Sequence, residues 1–356
     1  MEAHITIGEL GEFGLIARIA SAVPQGSQVV VGIGDDAAVV RAPDGRVVAT
    51  TDMVVEGQHF RRDWSGPGDV GHKAAARSLA DVAAMGAARA ALLVAFAAPP
   101  DLPVSWADEF IAGLAAECVR GGAVVAGGDI AAARAITIAV TALGDLQGRS
   151  PVTRAGARPG DVVAIAGRLG HSAAGLALLR HGRAHPAELI EAHRRPRPPY
   201  DAGPEAALLG ATAMIDVSDG LLADLGHLAV ASGVVIDVSG ALLPVSRLLA
   251  DAAEVIKTAA AGDTGPLDRA RAAGESRAAG ESRAERESRA EAAASPLEWV
   301  LAGGEDHALA ATFPAGTALP AGWSVIGRVR THETATAPVL VDGKHYDGVA
   351  GWDHFR

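Results

Sequence analysis

Residues 72–86 read HKAAARSLADVAAMG, and the reading of this stretch decides the architecture. Leu, Val and many Ala fall at helical spacing, and Gly86 stands where a helix takes its C-terminal cap, so the spacing predicts a helix over 72–85. Asp81 lies inside it, among Ala76, Leu79, Ala80, Val82, Ala83 and Ala84, where aspartate is a poor helix former. Two readings stay open from spacing alone. Asp81 could form an i, i+4 ion pair with Arg77, or it could be a carboxylate placed for chemistry.

On both sides of this helix, apolar strands run into aspartates. Residues 29–31 lead into Gly32-Ile33-Gly34-Asp35-Asp36, with a turn at Pro43-Asp44-Gly45. Residues 47–49 lead into Thr50-Thr51-Asp52. A strand at 90–96 and a helix at 106–120 follow. Val124-Val125 leads into Gly127-Gly128-Asp129, and 136–143 is a further strand. The character of the chain changes near Gly148-Arg149-Ser150-Pro151, which sets the expected boundary between domains 1–148 and 149–356. The second half repeats the habit: a strand over 161–166, a helix over 171–179, and a short strand 213–215 leading into Asp216-Val217-Ser218-Asp219-Gly220 before a helix over 221–231. Strands and helices mixed in both halves point to two α+β (α/β mixed) domains. A helix over 9–22 is expected before the first strand.

One aspartate beside Gly, Thr or Ser is usually a turn former. Asp36, Asp52, Asp129 and Asp216 at strand ends, with Asp81 and Asp219, form a set of hard oxygen ligands of the kind Mg²⁺ takes, one or two at a time, beside substrate phosphates. Ser218 and Asp219 also suit a helix N-cap, and a helix N-terminus offers N–H groups to an anion. Arg154 in Thr153-Arg154-Ala155-Gly156 is a candidate phosphate clamp.

The chain has 356 residues, a formal net charge of -11, 49% hydrophobic and only 4% aromatic residues, so its core is built from small and aliphatic side chains. The acidic balance excludes nucleic acid as an expected partner. One cysteine, Cys118, excludes a disulfide framework. No run reaches the roughly 20 apolar residues of a membrane span, and no targeting segment is seen, so a cytoplasmic protein is expected. There is no Walker A loop, no protein-kinase motif set, no zinc cluster and no nucleophile elbow. Gly32-Ile33-Gly34-Asp35-Asp36-Ala37 fits a dinucleotide fingerprint in letters, but two acids would face the pyrophosphate and a strand and turn follow where a helix is needed. Residues 257–295 are rich in Ala, Arg, Glu, Gly and Ser with almost no apolar anchors, and read as a low-complexity flexible insertion.

Read in order, Gly11-Glu12-Phe13, Gly32 to Asp36, Thr51-Asp52, Glu56-Gly57-Gln58-His59-Phe60, Ser78 to Gly86, Gly127-Gly128-Asp129, Thr153 to Gly156, Asp216 to Leu221, Gly303-Gly304-Glu305-Asp306 and Trp352-Asp353-His354-Phe355 resemble the thiamine-monophosphate kinases. That family is part of the aminoimidazole ribonucleotide synthetase-like superfamily. The resemblance implies a two-domain fold in which N-terminal strands of two subunits form a barrel across a homodimer. It implies ATP- and Mg²⁺-dependent phosphorylation of thiamine monophosphate to thiamine diphosphate by direct in-line transfer, with no catalytic base assigned. It implies that Asp36, Thr50, Thr51, Asp52, Asp81, Asp129, Asp216 and Asp219 hold magnesium. Gly128, Asp129, Arg154 and Ser218 would meet ATP, and His59, Glu305 and Trp352 would meet thiamine monophosphate, with Glu305 offering charge to the thiazolium and Trp352 a π face. His307 stands where the family often has Tyr, which would alter the substrate pocket. The alternatives are another ATP-using enzyme of the superfamily or a non-catalytic thiamine phosphate or nucleotide binder. A selenophosphate synthetase would show a reactive Cys near its start, and the carboxylate set is more than a binder needs.

Overall fold

The computed structural model describes residues 5–23, 26–33, 37–262, 295–332 and 337–352. Gly34-Asp35-Asp36, the bulk of the insertion and Asp353-His354-Phe355 lie outside the described residues. The N-terminal half runs α1 (Ile7–Leu10), α2 (Glu12–Ala22), β1 (Val29–Val31), β2 (Val39–Val40), β3 (Val48–Val55), α3 (Pro67–Ala84), β4 (Ala88–Ala98), α4 (Val104–Arg120), β5 (Val124–Ala132) and β6 (Thr137–Asp145). The helix expected over 9–22 is split, because Gly11 turns the chain at φ +76° between α1 and α2. β1 and β2 form an antiparallel hairpin, and the other strands form a sheet in the order β3-β6-β4-β5. Only β4 and β5 run parallel, linked by the α4 crossover.

β3 and β5 are longer than the sequence predicts. β3 pairs with β6 from Val48 to Val55, which puts Asp52 in mid-strand opposite Val140. β5 continues through Gly127-Gly128-Asp129 because β4 pairs with it residue by residue. Tertiary pairing outweighs the weak strand propensity of Gly and Asp. α3 starts earlier than its apolar period suggests. Pro67 fits a first helical position, and the Asp69 carboxylate accepts the Gly66 N–H at 2.9 Å.

The C-terminal half contains β7 (Val162–Ala166), α5 (His171–Arg180), α6 (Ala187–Arg194), α7 (Ala202–Leu208), β8 (Ala213–Val217), α8 (Leu221–Ser232), β9 (Val235–Val238), α9 (Arg247–Gly262), α10 (Pro296–Ala302), β10 (Ala308–Phe313), β11 (Trp323–Arg330) and β12 (Val339–Val341). Its six strands are ordered β12-β9-β11-β7-β10-β8, antiparallel except for β12 on β9. One face packs on α5, α8, α9 and α10 around Leu178, Leu225, Leu249 and Val300. Both ends of the expected insertion are ordered: 257–262 complete α9, and Ser295 caps α10 in a reciprocal pair with Glu298.

The other face of this sheet rests on the end of α3. Ala83 and Ala84 pack with Ala164, Ala166, Leu309 and Ala311, while Leu79 and Val82 pack into the N-terminal core. α3 is therefore shared by both halves, and its small side chains let two sheets and α4 come close. At Gly71 a Cβ would lie 2.0 Å from the Phe110 carbonyl oxygen on α4, a contact only glycine permits. Among the described residues no helix is long and apolar enough to cross a membrane.

Candidate active site

The shared helix carries one polar stripe. Lys73, Arg77 and Asp81 are spaced four apart, with Ser78 beside them, so they lie along one face. Lys73 Nζ donates to Glu305 Oε2 and Arg77 Nη1 to Glu305 Oε1, each at 2.8 Å. Ser78 Oγ donates to Asp52 Oδ2 at 2.8 Å, and Thr50 Oγ1 donates to Asp81 Oδ2 at 2.5 Å. The simple ion pair between Arg77 and Asp81 is not formed. Arg77 instead bridges to a loop 228 residues further along the chain.

Around Asp81 acidic groups gather faster than cations. Burial, then the charges of Asp216 and Asp52, push its carboxyl up to about 7. Asp216 is buried near the end of β8, with His307 Nδ1 3.1 Å from its Oδ2. Past Asp216 the chain turns through Ser218 and Asp219 into α8. Neither residue is the N-cap, which is Gly220. The loop is tied instead by Asp224 within α8, whose Oδ2 accepts the N–H groups of Ser218, Asp219 and Gly220 at 3.0, 3.0 and 3.1 Å.

Beside these groups a cleft of about 650 Å³ opens between the halves. His59, Trp64 and Arg77 line it from the N-terminal half, and Ser218, Asp219, Trp299, Glu305, Tyr346 and Trp352 from the C-terminal half. The Glu305 loop is backbone-strained: Glu305 has φ +62° and His307 φ +51°. Three features hold it. The Glu305 N–H donates to the Ser218 carbonyl (2.7 Å), the His307 N–H donates to the Val217 carbonyl (2.9 Å), and Asp306 accepts the N–H groups of Gly170 and Ser172 at the start of α5. Burial works against the Glu305 carboxylate, but the Lys73 ammonium and Arg77 guanidinium outweigh it and hold the group well below the usual carboxylate range. Burial, reinforced by the Lys73 charge, drives neighbouring His193 down to about 3, so it is neutral.

The structure thus brings five residues singled out from sequence, His59, Ser218, Asp219, Glu305 and Trp352, to one cleft, with Thr50, Asp52, Asp81 and Asp216 adjoining it. Others are not brought there. Strand alternation puts Thr51 and Asp129 on the sheet face away from α3, where the Thr141 hydroxyl donates to Thr51 and Asp129 stands level with Ala95. Gly128 does not line the cleft. Arg154 is held at the opposite end of β8 from Ser218: Thr153 accepts the Met214 N–H, and the Arg154 carbonyl accepts from Ser232. Asp36 lies outside the described residues. His307, expected to alter the substrate pocket, is not among the residues lining this cleft; its Nδ1 lies 3.1 Å from Asp216 Oδ2. Glu305 is not a free charge, since two cations already hold it. Lys73, Arg77, Ser78 and His193 were missed as site residues. The available signal was two cations and a serine on the same face as Asp81 in an otherwise alanine-rich helix.

The protein class follows from this fold. The chain belongs to the AIR synthase related proteins: the family model of the N-terminal domain matches residues 34–146 and that of the C-terminal domain residues 158–309. Within that class its relatives are thiamine-monophosphate kinases. The one from Mycobacterium tuberculosis is 46% identical over 350 residues, covering 98% of this chain and 93% of the relative. The one from Corynebacterium glutamicum is 38% identical over 360 residues, covering 98% and 95%. A solved structure described as AaThiL complexed with AMPPCP and TMP superposes with TM-score 0.70 at 33% identity, covering 99% of this chain and 100% of that one. The hydrogenase maturation protein HypE, at 17% identity and TM-score 0.68, shares the fold.

Proposed function

We propose that this chain transfers the terminal phosphoryl group of ATP to thiamine monophosphate, giving thiamine diphosphate and ADP. The observation that carries the reading is the interdomain cleft lined by His59, Ser218, Asp219, Glu305 and Trp352, with Asp52, Asp81 and Asp216 adjoining it. Near full-length similarity to thiamine-monophosphate kinases supports the choice of substrates.

Magnesium belongs to this reading. Among the described residues no three acidic or imidazole groups form a ready-made cage. Mg²⁺ does not need one, because it keeps waters and shares substrate phosphates. The donor chemistry fits: a buried Asp81 crowded by Asp52 and Asp216 is short of positive charge. Of the proposed ligands, Asp52, Asp81 and Asp216 have this support; Thr50 is hydrogen-bonded to Asp81, and Asp219 lines the cleft. Asp36 belongs to the set by resemblance. Thr51, Asp129, Gly128 and Arg154 would need a movement or a second chain to join the cleft. When bound, the metal supplies positive charge to the polyphosphate.

The chain's own residues bind and orient. Trp299, Tyr346 and Trp352 offer flat faces to the thiamine rings, and the Ser218-Asp219 loop borders the space for the nucleotide phosphates. No general base is assigned, because the acceptor is a phosphate oxygen that is already largely ionised at neutral pH, with a second pKa of about 6. Positioning and electrostatic stabilisation therefore carry the rate.

The reading includes domain limits 1–148 and 149–356, residues 257–295 as an insertion in the second domain, a cytoplasmic location and a homodimer joined through the N-terminal sheets. Support for the dimer is the sheet face away from α3: the β1–β2 hairpin covers part of it at Leu93 and Ala126, while Met53 and Ala95 are exposed. Incubation of the purified chain with ATP, Mg²⁺ and thiamine monophosphate is expected to yield thiamine diphosphate. Absence of that product would overturn the proposal. Asp52→Asn is expected to lose turnover while folding normally, and light scattering in solution reads the dimer.

A further inference from the structure

The corner where α3 meets the Glu305 loop holds more positive charge than its partners neutralise. Lys73 and Arg77 share one carboxylate, that of Glu305. His193, 3.9 Å from the same carboxylate, is neutral and adds nothing. Two cations against one anion leave a net positive charge on the wall of the cleft. Of these two cations Arg77 lines the cleft, as Arg61 and Arg180 also do; its side chain is 13% exposed, and its Nε is buried without a hydrogen-bond partner. Lys73 is only 2% exposed and lies behind it. With Nη1 committed to Glu305 and Nε making no bond, the guanidinium keeps a donor in reserve for an oxyanion once it turns.

This charge has the wrong sign for the cationic thiazolium ring and the right sign for a phosphate. The helix also fixes its place. Arg77 is one turn, about 6 Å, from Asp81 along α3. An anion at Arg77 thus lies beside the acidic group proposed for the transferring phosphates, while the rings extend toward the aromatic lining.

We infer that Arg77 receives the phosphate of the acceptor, and that Glu305 stands in for this phosphate when the cleft is empty. The inference rests on the kinase reading and deepens it by naming the acceptor-phosphate subsite. Binding then exchanges ion pairs: Arg77 turns from Glu305 to the phosphate, and Lys73 keeps Glu305. No buried cation is left unpaired in either state, which avoids the large cost of an isolated buried charge.

Calorimetric titration of thiamine monophosphate and of unphosphorylated thiamine separates the two parts of the ligand. Arg77→Met is expected to weaken binding of the monophosphate roughly tenfold or more, the value of a lost charged hydrogen bond, and to change thiamine binding by less than about twofold. Arg77→Lys keeps the charge without the fork. It is expected to recover part of the monophosphate affinity and offers the same selectivity test should the Met variant fold poorly. Unchanged monophosphate binding, or equal losses for both ligands, would overturn the inference, because a merely structural role for Arg77 cannot sense the phosphate. If the wild-type chain binds the monophosphate but forms no diphosphate, the kinase reading fails while the subsite is still judged by the titrations.

Discussion

Glu117 and Glu305 both meet cations, and they serve different ends. Glu117 on α4 is 1% exposed and fully engaged: His72 Nδ1 lies 3.0 Å away, Arg120 Nε donates at 3.0 Å and the Tyr200 hydroxyl at 2.5 Å. Arg120 also lies over the Tyr200 ring, and His72 Nε2 is 2.8 Å from the Pro196 carbonyl, so the cluster straps residues 196–200 to the α3–α4 pair. Glu305 is 25% exposed, sits on strained backbone at the wall of the cleft, and leaves one cation with an idle donor. The chemistry of pairing is the same. Closure of the network makes the first a fastener, and incompleteness makes the second a receptor.

Substitutions can break that contrast. The largest effect is expected for Glu305→Ala, which strands two cations, one of them almost fully buried. Stability should fall by about 3–5 kcal/mol in urea unfolding, and thiamine monophosphate should restore part of it by supplying the missing anion. A variant no less stable than wild type would show that the cations do not need Glu305. Glu117→Gln should cost about 2–3 kcal/mol of stability while turnover at saturating substrate is little changed. A large fall in turnover would move Glu117 from fastener to site. Tyr200→Phe removes a single hydroxyl donor and should cost about 1 kcal/mol.

Acid sharpens the comparison last. Despite burial, the His72 and Arg120 partners lower the folded-state pKa of Glu117 below its ordinary 4.5. Its contribution is therefore present above pH 4.5 and lost as pH falls through the lower folded value. Between pH 5 and pH 3, the stability of Glu117→Gln should decline less steeply than that of wild type. Parallel slopes would mean that the cluster does not hold Glu117 ionised.

Much of this could be read in the chain, for identifiable reasons. The α3 helix, the apolar strands and the order of the motifs are local patterns. The resemblance named His59, Glu305 and Trp352, which the fold collects across more than 290 residues of separation. Asp129 shows where local reading stops. At β5 the register slips so that Leu92 faces Val125 but Leu93 faces Gly127, leaving Ala126 as an extra residue. Side chains alternate with period two, so one extra residue reverses the face of every later one. Nothing in Val124-Val125-Ala126-Gly127-Gly128-Asp129 reports that slip. Lys73 and Arg77 were visible as cations on a helix, yet their partner lies over 220 residues away.

Legible in the chain alone were the acidic character, the family and the main elements up to α8 other than α6 and α7, because those follow from composition, short-range periodicity and motifs in order. Packing settled which carboxylates share a face, which cations they meet and which cation is left over. Those outcomes depend on strand register and on the close approach of two sheets to α3, and both arise from packing between segments far apart in the chain.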